Sequence, residues 1–373
     1  MSENSLKIAF DAKRLIHNRE GLGSYARTLV RMMAGHVPHH AIYLCSAEEG
    51  GNAYAQDFKG SPYNIISPSQ KVSAGYWRSK GMVKDLKRTG VEIYWGLSNE
   101  LPHGLAKSGI KSILTIHDLF YKTHPAQFRR VDRWILARKY AHAVKAADLI
   151  YVPSHHTRED LLRFFPEAQP KVKVLYQSVS AQYKSRVVVR SENPSYFLSV
   201  GAITPRKNYE LLIRAYEAMP AEDRVPLKIV GRKTKHQAPL ESAIQRKELS
   251  KWISFHNEVS DVALASLYTS AIALIQTSHY EGFGIPVLEA LTAGTAVIAQ
   301  DTSSLPEVVG KHGIIFEYDD VEALVDGMKV MKSSEFRKNL LQDVDVHLRK
   351  FDAEVLVEQI MTDIRSLIAK TGM

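Results

Sequence analysis

Short apolar runs alternate with amphipathic stretches along the first half of this chain and predict strands that alternate with helices. The runs begin at residues 6–10 and recur at 41–45, 63–66, 92–95, 112–116, 149–152 and 172–175. Stretches with helical spacing of apolar positions lie between them, among them residues 79–88 and 131–147. A polar loop is predicted at residues 11–20, after the first strand. Such alternation is typical of a doubly wound α/β domain with a mainly parallel sheet.

The same pattern starts again after a polar segment, residues 177–194, that contains no strand pattern. The predicted strands of this second half lie at 196–200, 227–230, 252–255, 272–276 and 296–299. A chain of 373 residues exceeds the usual size of one hydrophobic core. We therefore predict a first Rossmann-like domain at 1–180 and a second at 195–345. An apolar stripe predicts a C-terminal helix at 351–370.

Composition and charge narrow the class of protein. Hydrophobic residues make up 45% of the chain and charged residues 24%, as expected for a folded globular protein. The net charge of +9 favours anionic partners. We do not expect nucleic acid among them, because the chain has neither an arginine-rich tail nor an RNA-binding aromatic motif. The absence of a signal-peptide pattern and of a long apolar run predicts a cytoplasmic protein.

The most informative stretch carries two carboxylates, Glu281 and Glu289, around a glycine turn. Gly282, Phe283 and Gly284 connect a predicted strand to a predicted helix. Backbone N–H groups at the N-terminus of a helix bind anions, and glycine lets a ligand approach the backbone closely. The turn is therefore a candidate ligand-binding site. The alternative is that Glu281 caps the helix and Glu289 is a solvated helix residue.

Two other loops at predicted strand ends have features that suit an anion. Arg206 and Lys207 lie between a predicted strand and helix, where a guanidinium can bind phosphate oxygens in bidentate fashion and an ammonium acts as a point charge. Gly21 and Gly23 open a predicted helix. Their spacing matches a dinucleotide-binding pattern, but a long loop separates them from the first strand, which argues against a dehydrogenase. Ordinary surface cations are the alternative for Arg206 and Lys207.

A histidine, His117, directly follows the predicted strand 112–116. Ligands of doubly wound sheets bind beyond the carboxyl ends of the strands, so its ring is placed where it could bond a sugar hydroxyl. Asp118 could orient that ring or cap the next turn. From the residues alone, a structural histidine remains the favoured interpretation.

Together these segments resemble the motifs of the family 4 retaining glycosyltransferases, in the same order along the chain. The resemblance rests on Glu281 and Glu289 with seven residues between them, the Pro-Arg-Lys-Asn run at 205–208 and the Ile-His-Asp run at 116–118. It implies an α/β protein with the GT-B fold, in which two doubly wound Rossmann-like domains face a cleft. It also implies that the C-terminal helix returns to the first domain.

The resemblance also implies roles for the candidate residues. Glu281 and His117 would contact the donor sugar, and Glu289 the ribose of the nucleotide. Arg206 and Lys207 would stabilise the leaving diphosphate. The remaining donor-binding positions that the resemblance implies are Gly21, Gly23, Gly282, Phe283 and Gly284.

The implied activity is a retaining transfer of a hexose from a nucleotide diphosphate sugar to a glycan or lipid-linked acceptor. The process would be synthesis of surface polysaccharide or lipopolysaccharide, and subgroup resemblance favours mannose from GDP-mannose. No cofactor and no metal are expected, since fixed cations and helix N-termini would neutralise the diphosphate. The alternatives are a sugar-nucleotide epimerase with the GT-B fold and a catalytically inactive nucleotide-binding protein.

A basic stretch at residues 129–138 carries arginines beside Trp134. It suits the surface of an anionic membrane that holds a lipid-linked acceptor, and a peripheral position at the inner face of the membrane would follow. A solvated helix face is the simpler alternative.

Overall fold

The structure, a computed structural model, describes residues 6–18, 20–37, 41–47, 56–183 and 193–369. These residues form two compact units. The first contains the chain up to Ser178 together with the segment from Phe351 onward, and the second is Val179–Lys350. Residues 184–192, in the middle of the predicted polar segment, lie outside the described residues.

The first unit is built on a seven-stranded parallel sheet with the strand order β3-β2-β1-β4-β5-β6-β7. Its strands are β1 Ile8–Asp11, β2 Ile42–Cys45, β3 Tyr63–Ile66, β4 Ile93–Gly96, β5 Lys111–Thr115, β6 Leu149–Val152 and β7 Val172–Val174. The order reverses between β1 and β4, which makes the carboxyl ends of these strands the expected ligand-binding edge.

The helices of the first unit cover both faces of this sheet. They are α1 Lys13–His17, α2 Gly21–Ala34, α3 Met82–Thr89, α4 Phe120–Thr123, α5 Arg130–Ala146 and α6 His155–Phe164. A short helical turn and a π-helix, Trp77–Gly81, precede α3. The prediction of a polar loop at 11–20 was wrong. Leu15 and Ile16 are buried in the core, and α1 forms because a helical turn places this apolar pair on the sheet.

The second unit has a six-stranded parallel sheet with the order β10-β9-β8-β11-β12-β13. Its strands are β8 Tyr196–Val200, β9 Leu227–Val230, β10 Ile253–His256, β11 Ala271–Gln276, β12 Ala296–Gln300 and β13 Gly313–Phe316. Every residue of β11 is buried, as expected for a central parallel strand covered on both faces. The order reverses between β8 and β11.

The helices of the second unit alternate with its strands as far as β13, and the last three follow one another directly. They are α7 Tyr209–Ala218, α8 Gln237–Arg246, α9 Asp261–Thr269, α10 Ile285–Thr292, α11 Leu305–Val309, α12 Val321–Met331, α13 Ser334–Leu340 and α14 Val344–Leu348. The fold class is therefore α/β with two doubly wound sheets, as predicted.

The last helix, α15 at Ala353–Ala369, packs on the first unit. Its apolar stripe joins the core cluster around β1 through four buried residues, Leu356, Ile360, Ile364 and Leu367. A polar anchor accompanies the stripe. The buried Asp363 accepts a hydrogen bond from the Tyr151 hydroxyl at 2.9 Å and forms an ion pair with Lys173.

Membrane-crossing helices and metal-binding clusters are both absent from the described ranges. No described helix combines the length and the apolar character that crossing a membrane requires. No group of three or more His, Cys, Asp or Glu side chains in these ranges is arranged to hold a metal ion.

Candidate functional site

Arg206, Lys207 and Glu281 form one ion-paired cluster in the second unit. The Lys207 Nζ donates to Glu281 Oε1 at 2.6 Å, and the Arg206 Nη1 donates to Oε2 at 3.2 Å. Lys207 and Glu281 are 7% and 6% exposed, whereas the Arg206 side chain remains 31% exposed. The cluster therefore carries one net positive charge, and the guanidinium is its solvent-accessible part.

The cluster lies where the order of the second sheet reverses. Lys207 ends a 3₁₀ turn after β8, and Glu281 follows β11, the neighbouring strand. The Thr277 hydroxyl donates to the Lys207 carbonyl oxygen at 2.9 Å and joins the two loops. Gly201 contributes by having no side chain, because a Cβ there would collide with the Lys207 side chain. The site is thus positioned by two adjacent strand ends, as the rule for doubly wound sheets predicts.

The Glu281 carboxylate is held in its ionised form. Ser278 Oγ and Gln276 Nε2 donate to Oε1 at 2.7 and 3.2 Å. Burial alone would raise the pKa of Glu281, but Lys207, Arg206 and the hydrogen bond from Ser278 lower it to about 2. Glu281 can therefore accept hydrogen bonds at neutral pH and cannot act as a general acid. Sequence reasoning missed Ser278 and Gln276, although polar residues at the end of a buried apolar run were a signal.

Glu289 occupies a different environment in α10. It is 6% exposed, and its Oε2 accepts a hydrogen bond from the Tyr268 hydroxyl at 2.8 Å. Burial and, to a lesser extent, the charge of Asp261 raise the pKa of Glu289 to about 8, although Tyr268, Tyr183 and Lys207 act in the opposite direction. The alternative of a solvated helix residue is wrong. The raised pKa favours the protonated carboxyl, which can both donate and accept a hydrogen bond. Tyr268 and Tyr183 are further site residues that sequence reasoning missed.

The Gly282–Phe283–Gly284 turn enters α10 as the sequence predicts. All three residues are buried, and Phe283 is 3% exposed. Gly284 has a φ of 104°, a left-handed conformation that favours glycine, and a Cβ there would lie 3.1 Å from a Leu305 methyl group. The backbone N–H of Glu281 donates to Ser303 Oγ at 2.8 Å. The turn is therefore rigidly placed at the N-terminus of α10.

His117 lies in the first unit, directly after β5. It is 5% exposed, and its Nε2 donates to the Leu97 carbonyl oxygen at 2.7 Å. Burial lowers the pKa of His117, so the ring is neutral at pH 7. Asp118 Oδ1 accepts from the Phe120 N–H at 3.2 Å in the turn that leads into α4. The ring is oriented by a backbone carbonyl and by the edge-on ring of Tyr25, and its Nδ1 is the remaining acceptor.

Gly21 and Gly23 open α2 in the first unit and differ in their surroundings. A Cβ at Gly21 would meet no atom within 4 Å, whereas one at Gly23 would collide with the Asn18 carbonyl group. The buried Arg27 donates to that same carbonyl oxygen at 2.8 Å. Close packing therefore explains Gly23, and open space for a ligand exists at Gly21.

Two family models match adjacent segments of the chain. Residues 19–183 match the model described as Glycosyltransferase Family 4. Residues 182–344 match the model described as Glycosyl transferases group 1. The matched segments meet close to Ser178, where the first unit ends.

Curated proteins with similar sequences include two mannosyltransferases. The O-antigen chain mannosyltransferase B of Escherichia coli is 31% identical over 244 residues, which are 62% of this chain and 63% of that protein. The O-antigen chain mannosyltransferase RfbU of Salmonella typhimurium is 29% identical over 216 residues, 58% of this chain and 59% of that protein. The match thus spans less than two thirds of the length of these relatives.

Solved structures show the same fold at low sequence identity. Alr3699/HepE of Anabaena, in complex with UDP and glucose, has a TM-score of 0.74 and 16% identity over 97% of this chain and 100% of that one. WaaG, a glycosyltransferase involved in lipopolysaccharide biosynthesis, has a TM-score of 0.70 and 17% identity over 95% of this chain and 98% of that one. This likeness confirms the fold expected from the sequence.

Proposed function

Because this chain belongs to the family 4 glycosyltransferases, we propose that it transfers a hexosyl group from a nucleotide diphosphate sugar to a glycan or lipid-linked acceptor. The process is synthesis of surface polysaccharide or lipopolysaccharide. The observation that carries the proposal is the cluster of Arg206, Lys207 and Glu281 at two adjacent strand ends. The mannosyltransferases among its relatives favour mannose as the sugar and GDP-mannose as the donor.

The two cations of the cluster are the proposed binding site for the donor diphosphate. A diphosphate brings negative charge to a cluster whose net charge is positive, and the accessible Arg206 guanidinium suits bidentate binding. The positive end of α10 adds a fixed dipole. These groups stabilise the charge that develops on the leaving diphosphate, which is the contribution a divalent ion makes in other enzymes. We therefore propose that the reaction is metal-independent.

The proposed reaction retains the configuration at the anomeric carbon. The bond from this carbon to the diphosphate oxygen breaks, and a bond to the acceptor oxygen forms on the same face of the sugar. The acceptor hydroxyl proton passes to the leaving phosphate oxygen, so that no protein base is required. The ionised Glu281 accepts hydrogen bonds from the sugar, which suits a group that stays charged throughout the reaction.

Further contacts are assigned to Glu289, His117 and Gly21. A protonated Glu289 can donate a hydrogen bond to one ribose oxygen and accept one from another ribose hydroxyl. The Tyr268 hydroxyl donates to Oε2 of the same carboxyl group. His117 offers the Nδ1 of a neutral ring to a sugar hydroxyl, since its Nε2–H is bonded to the Leu97 carbonyl oxygen. Gly21 leaves room for a ligand beside the N-terminus of α2.

A lipid-linked acceptor would require the protein to reach a membrane surface. We propose peripheral association with the cytoplasmic face of an anionic membrane through α5. Val131, Trp134 and Ile135 of this helix are exposed large apolar side chains and lie among arginines. This combination suits a surface with anionic head groups.

Thermal-shift measurements with GDP, UDP and ADP, followed by product analysis, test the proposal. A nucleotide present at 100 times its Kd stabilises the folded protein by about 2.7 kcal/mol. The nucleotide that raises the melting temperature most therefore carries the base of the donor. With GDP-mannose and an acceptor we expect GDP release, an α-linked product and unchanged rates in EDTA. Sugar-nucleotide conversion without an acceptor would indicate the epimerase. Binding without sugar release, even by hydrolysis, would indicate an inactive nucleotide-binding protein.

A further inference from the structure

A pocket of about 250 Å³ opens on the first unit between α4 and the first turns of α5. It lies outside the cluster described above, which belongs to the second unit. Its lining contains three cations, two aromatic residues and no acidic residue. The lining residues are Tyr121, Lys122, Arg130, Arg133, Trp134 and Ala137.

The three cations of the pocket have no acidic partner in the described part of the chain. No carboxylate there lies within ion-pair distance of Lys122, Arg130 or Arg133. The Lys122 ammonium also lies 5.7 or 5.8 Å from the centres of three aromatic rings, those of Tyr121, Phe164 and Phe165. Its charge is therefore held against the protein surface by cation–π contacts.

Two of these cations occupy an electrostatically unfavourable end of a helix. Arg130 is the first residue of α5 and Arg133 is the fourth, and the preceding residue, Arg129, makes no side-chain cap. The N-terminus of a helix carries partial positive charge, which disfavours cations there and favours an anion. Asp132 lies in the same turn but makes no ion pair with Arg130 or Arg133 in the described ranges, so the two guanidinium groups and the helix dipole remain available to stabilise an anion.

The hydroxyl of Tyr121 supplies an independent observation. Tyr121 is 3% exposed, and its buried hydroxyl has no hydrogen-bond partner among the residues that the structure describes. A buried hydroxyl that makes no hydrogen bond costs free energy. Burial also raises the pKa of Tyr121, so the group remains a neutral donor. Tyr121 lines the pocket, so a shift of its side chain toward the pocket would let a ligand oxygen there accept this bond.

We infer that the pocket binds a phosphate or diphosphate group. Arg130 and Arg133 can each bind phosphate oxygens in bidentate fashion, and Lys122 adds a point charge. Tyr121 can add a hydrogen bond once its side chain shifts toward the ligand. Trp134 is 58% exposed and offers a ring face to whatever carries the phosphate, such as a sugar or an acyl chain. The binding of a phosphate to the pocket does not depend on the proposed function. Only the assignment of this phosphate to the acceptor rests on it.

Titration with inorganic pyrophosphate, followed by tryptophan fluorescence, tests the inference. Trp134 lines the pocket, so Trp134→Phe identifies the part of the signal that comes from it. We expect the affinity reported by Trp134 to fall at least about ten-fold in Arg130→Gln/Arg133→Gln, the loss that removal of charged phosphate partners predicts. Tyr121→Phe should weaken binding several-fold. Lys145→Gln, an exposed cation near the other end of α5, is the control and should bind as the unaltered protein does.

Co-sedimentation with phosphatidylcholine vesicles that contain phosphatidic acid separates the two sources of the phosphate. Vesicle binding that pyrophosphate displaces supports a lipid head group in the pocket, and pyrophosphate binding without vesicle binding supports a soluble ligand. Equal pyrophosphate affinity in Arg130→Gln/Arg133→Gln and Lys145→Gln would overturn the inference. The thermal shift with nucleoside diphosphates in these variants reports on the donor site separately, so the two proposals fail independently.

Discussion

The Lys207 ammonium lies 2.6 Å from Glu281 Oε1, and both residues are more than nine-tenths buried. A buried ion pair adds little net stability, because desolvation of the two charges offsets their attraction. Removal of one partner is costly, since the other charge is then buried without a full counter-charge. A ligand that draws Lys207 away from Glu281 must therefore bring negative charge of its own, as a diphosphate does.

Lys207→Ala and Glu281→Ala should each lower kcat by about 10²–10³-fold, the usual effect of deleting one group that stabilises developing charge. Each should also lower the free energy of unfolding by about 3 kcal/mol, because the remaining partner is left buried. Steady-state kinetics and urea unfolding measure the two effects. Lys338→Ala, an exposed lysine on α13, is the control.

The double variant Lys207→Ala/Glu281→Ala separates catalysis from stability. Without either charge, the desolvation cost disappears, and we expect stability above that of the two single variants. Activity should remain as low as in the single variants. Near-normal kcat in either single variant would remove the pair from the catalytic site.

Twelve of the thirteen strands in the described ranges could be predicted from the sequence, and the reason is physical. The strand that was missed is β13 at Gly313–Phe316, an edge strand whose residues are mostly only half-buried. A parallel strand covered on both faces is a continuous apolar run, so β8 at Tyr196–Val200 and β9 at Leu227–Val230 stand out directly. The helix α1 was missed. Its five residues are too few to show helical periodicity, and only the core contact of Leu15 and Ile16 determines it.

The candidate site could be predicted only in part. Arg206, Lys207 and Glu281 stand out as charged residues at strand ends, and the structure brings the three side chains together. The hydrogen bond from Tyr268 to Glu289 could not be predicted, because it joins two different helices and depends on their packing. The same is true of the pKa of Glu289, which burial decides.

The two glycines that open α2 should respond differently to alanine. Gly21→Ala introduces a methyl group into open space, so we expect an unchanged melting temperature and, if a ligand approaches there, a Kd that rises about ten-fold or more. Gly23→Ala places a methyl group against the Asn18 carbonyl and should lower the free energy of unfolding by about 1–3 kcal/mol. Calorimetry measures both quantities. Gly75→Ala, which also places its methyl group in open space, is the control. If Gly21→Ala and Gly75→Ala bind the ligand with the same affinity, Gly21 is not part of the site.

Asp363→Ala should destabilise the attachment of α15 to the first unit. The variant leaves the buried Tyr151 hydroxyl without its acceptor and Lys173 without its ion pair. We expect the free energy of unfolding to fall by about 1.5–3 kcal/mol, the range for hydrogen bonds to charged groups. Urea unfolding measures the loss, with the exposed Glu358→Ala on the same helix as the control. Equal stability of the two variants would show that the apolar stripe alone holds the helix.

The raised pKa of Glu289 predicts a pH dependence of stability with a defined sign. Burial raises its pKa from 4.5 to about 8 in the folded protein. Between these values the unfolded chain has released the proton and the folded protein keeps it, so unfolding releases a proton and stability falls as the pH rises. The contribution of Glu289 is therefore fully present below pH 4.5 and is lost by about pH 8.

Glu289→Gln removes this titration, because glutamine is neutral at every pH. The free energy of unfolding of the variant, relative to the unaltered protein, should rise by on the order of a few kcal/mol between pH 5 and pH 8.5. Urea unfolding at these two pH values measures the difference, and other titrating groups cancel because both proteins contain them. Glu222→Gln, an exposed glutamate of the same unit, should show no such change. If the curves for Glu289→Gln and the unaltered protein run parallel, Glu289 is ionised in the folded state, and it would contact the ribose as an acceptor only.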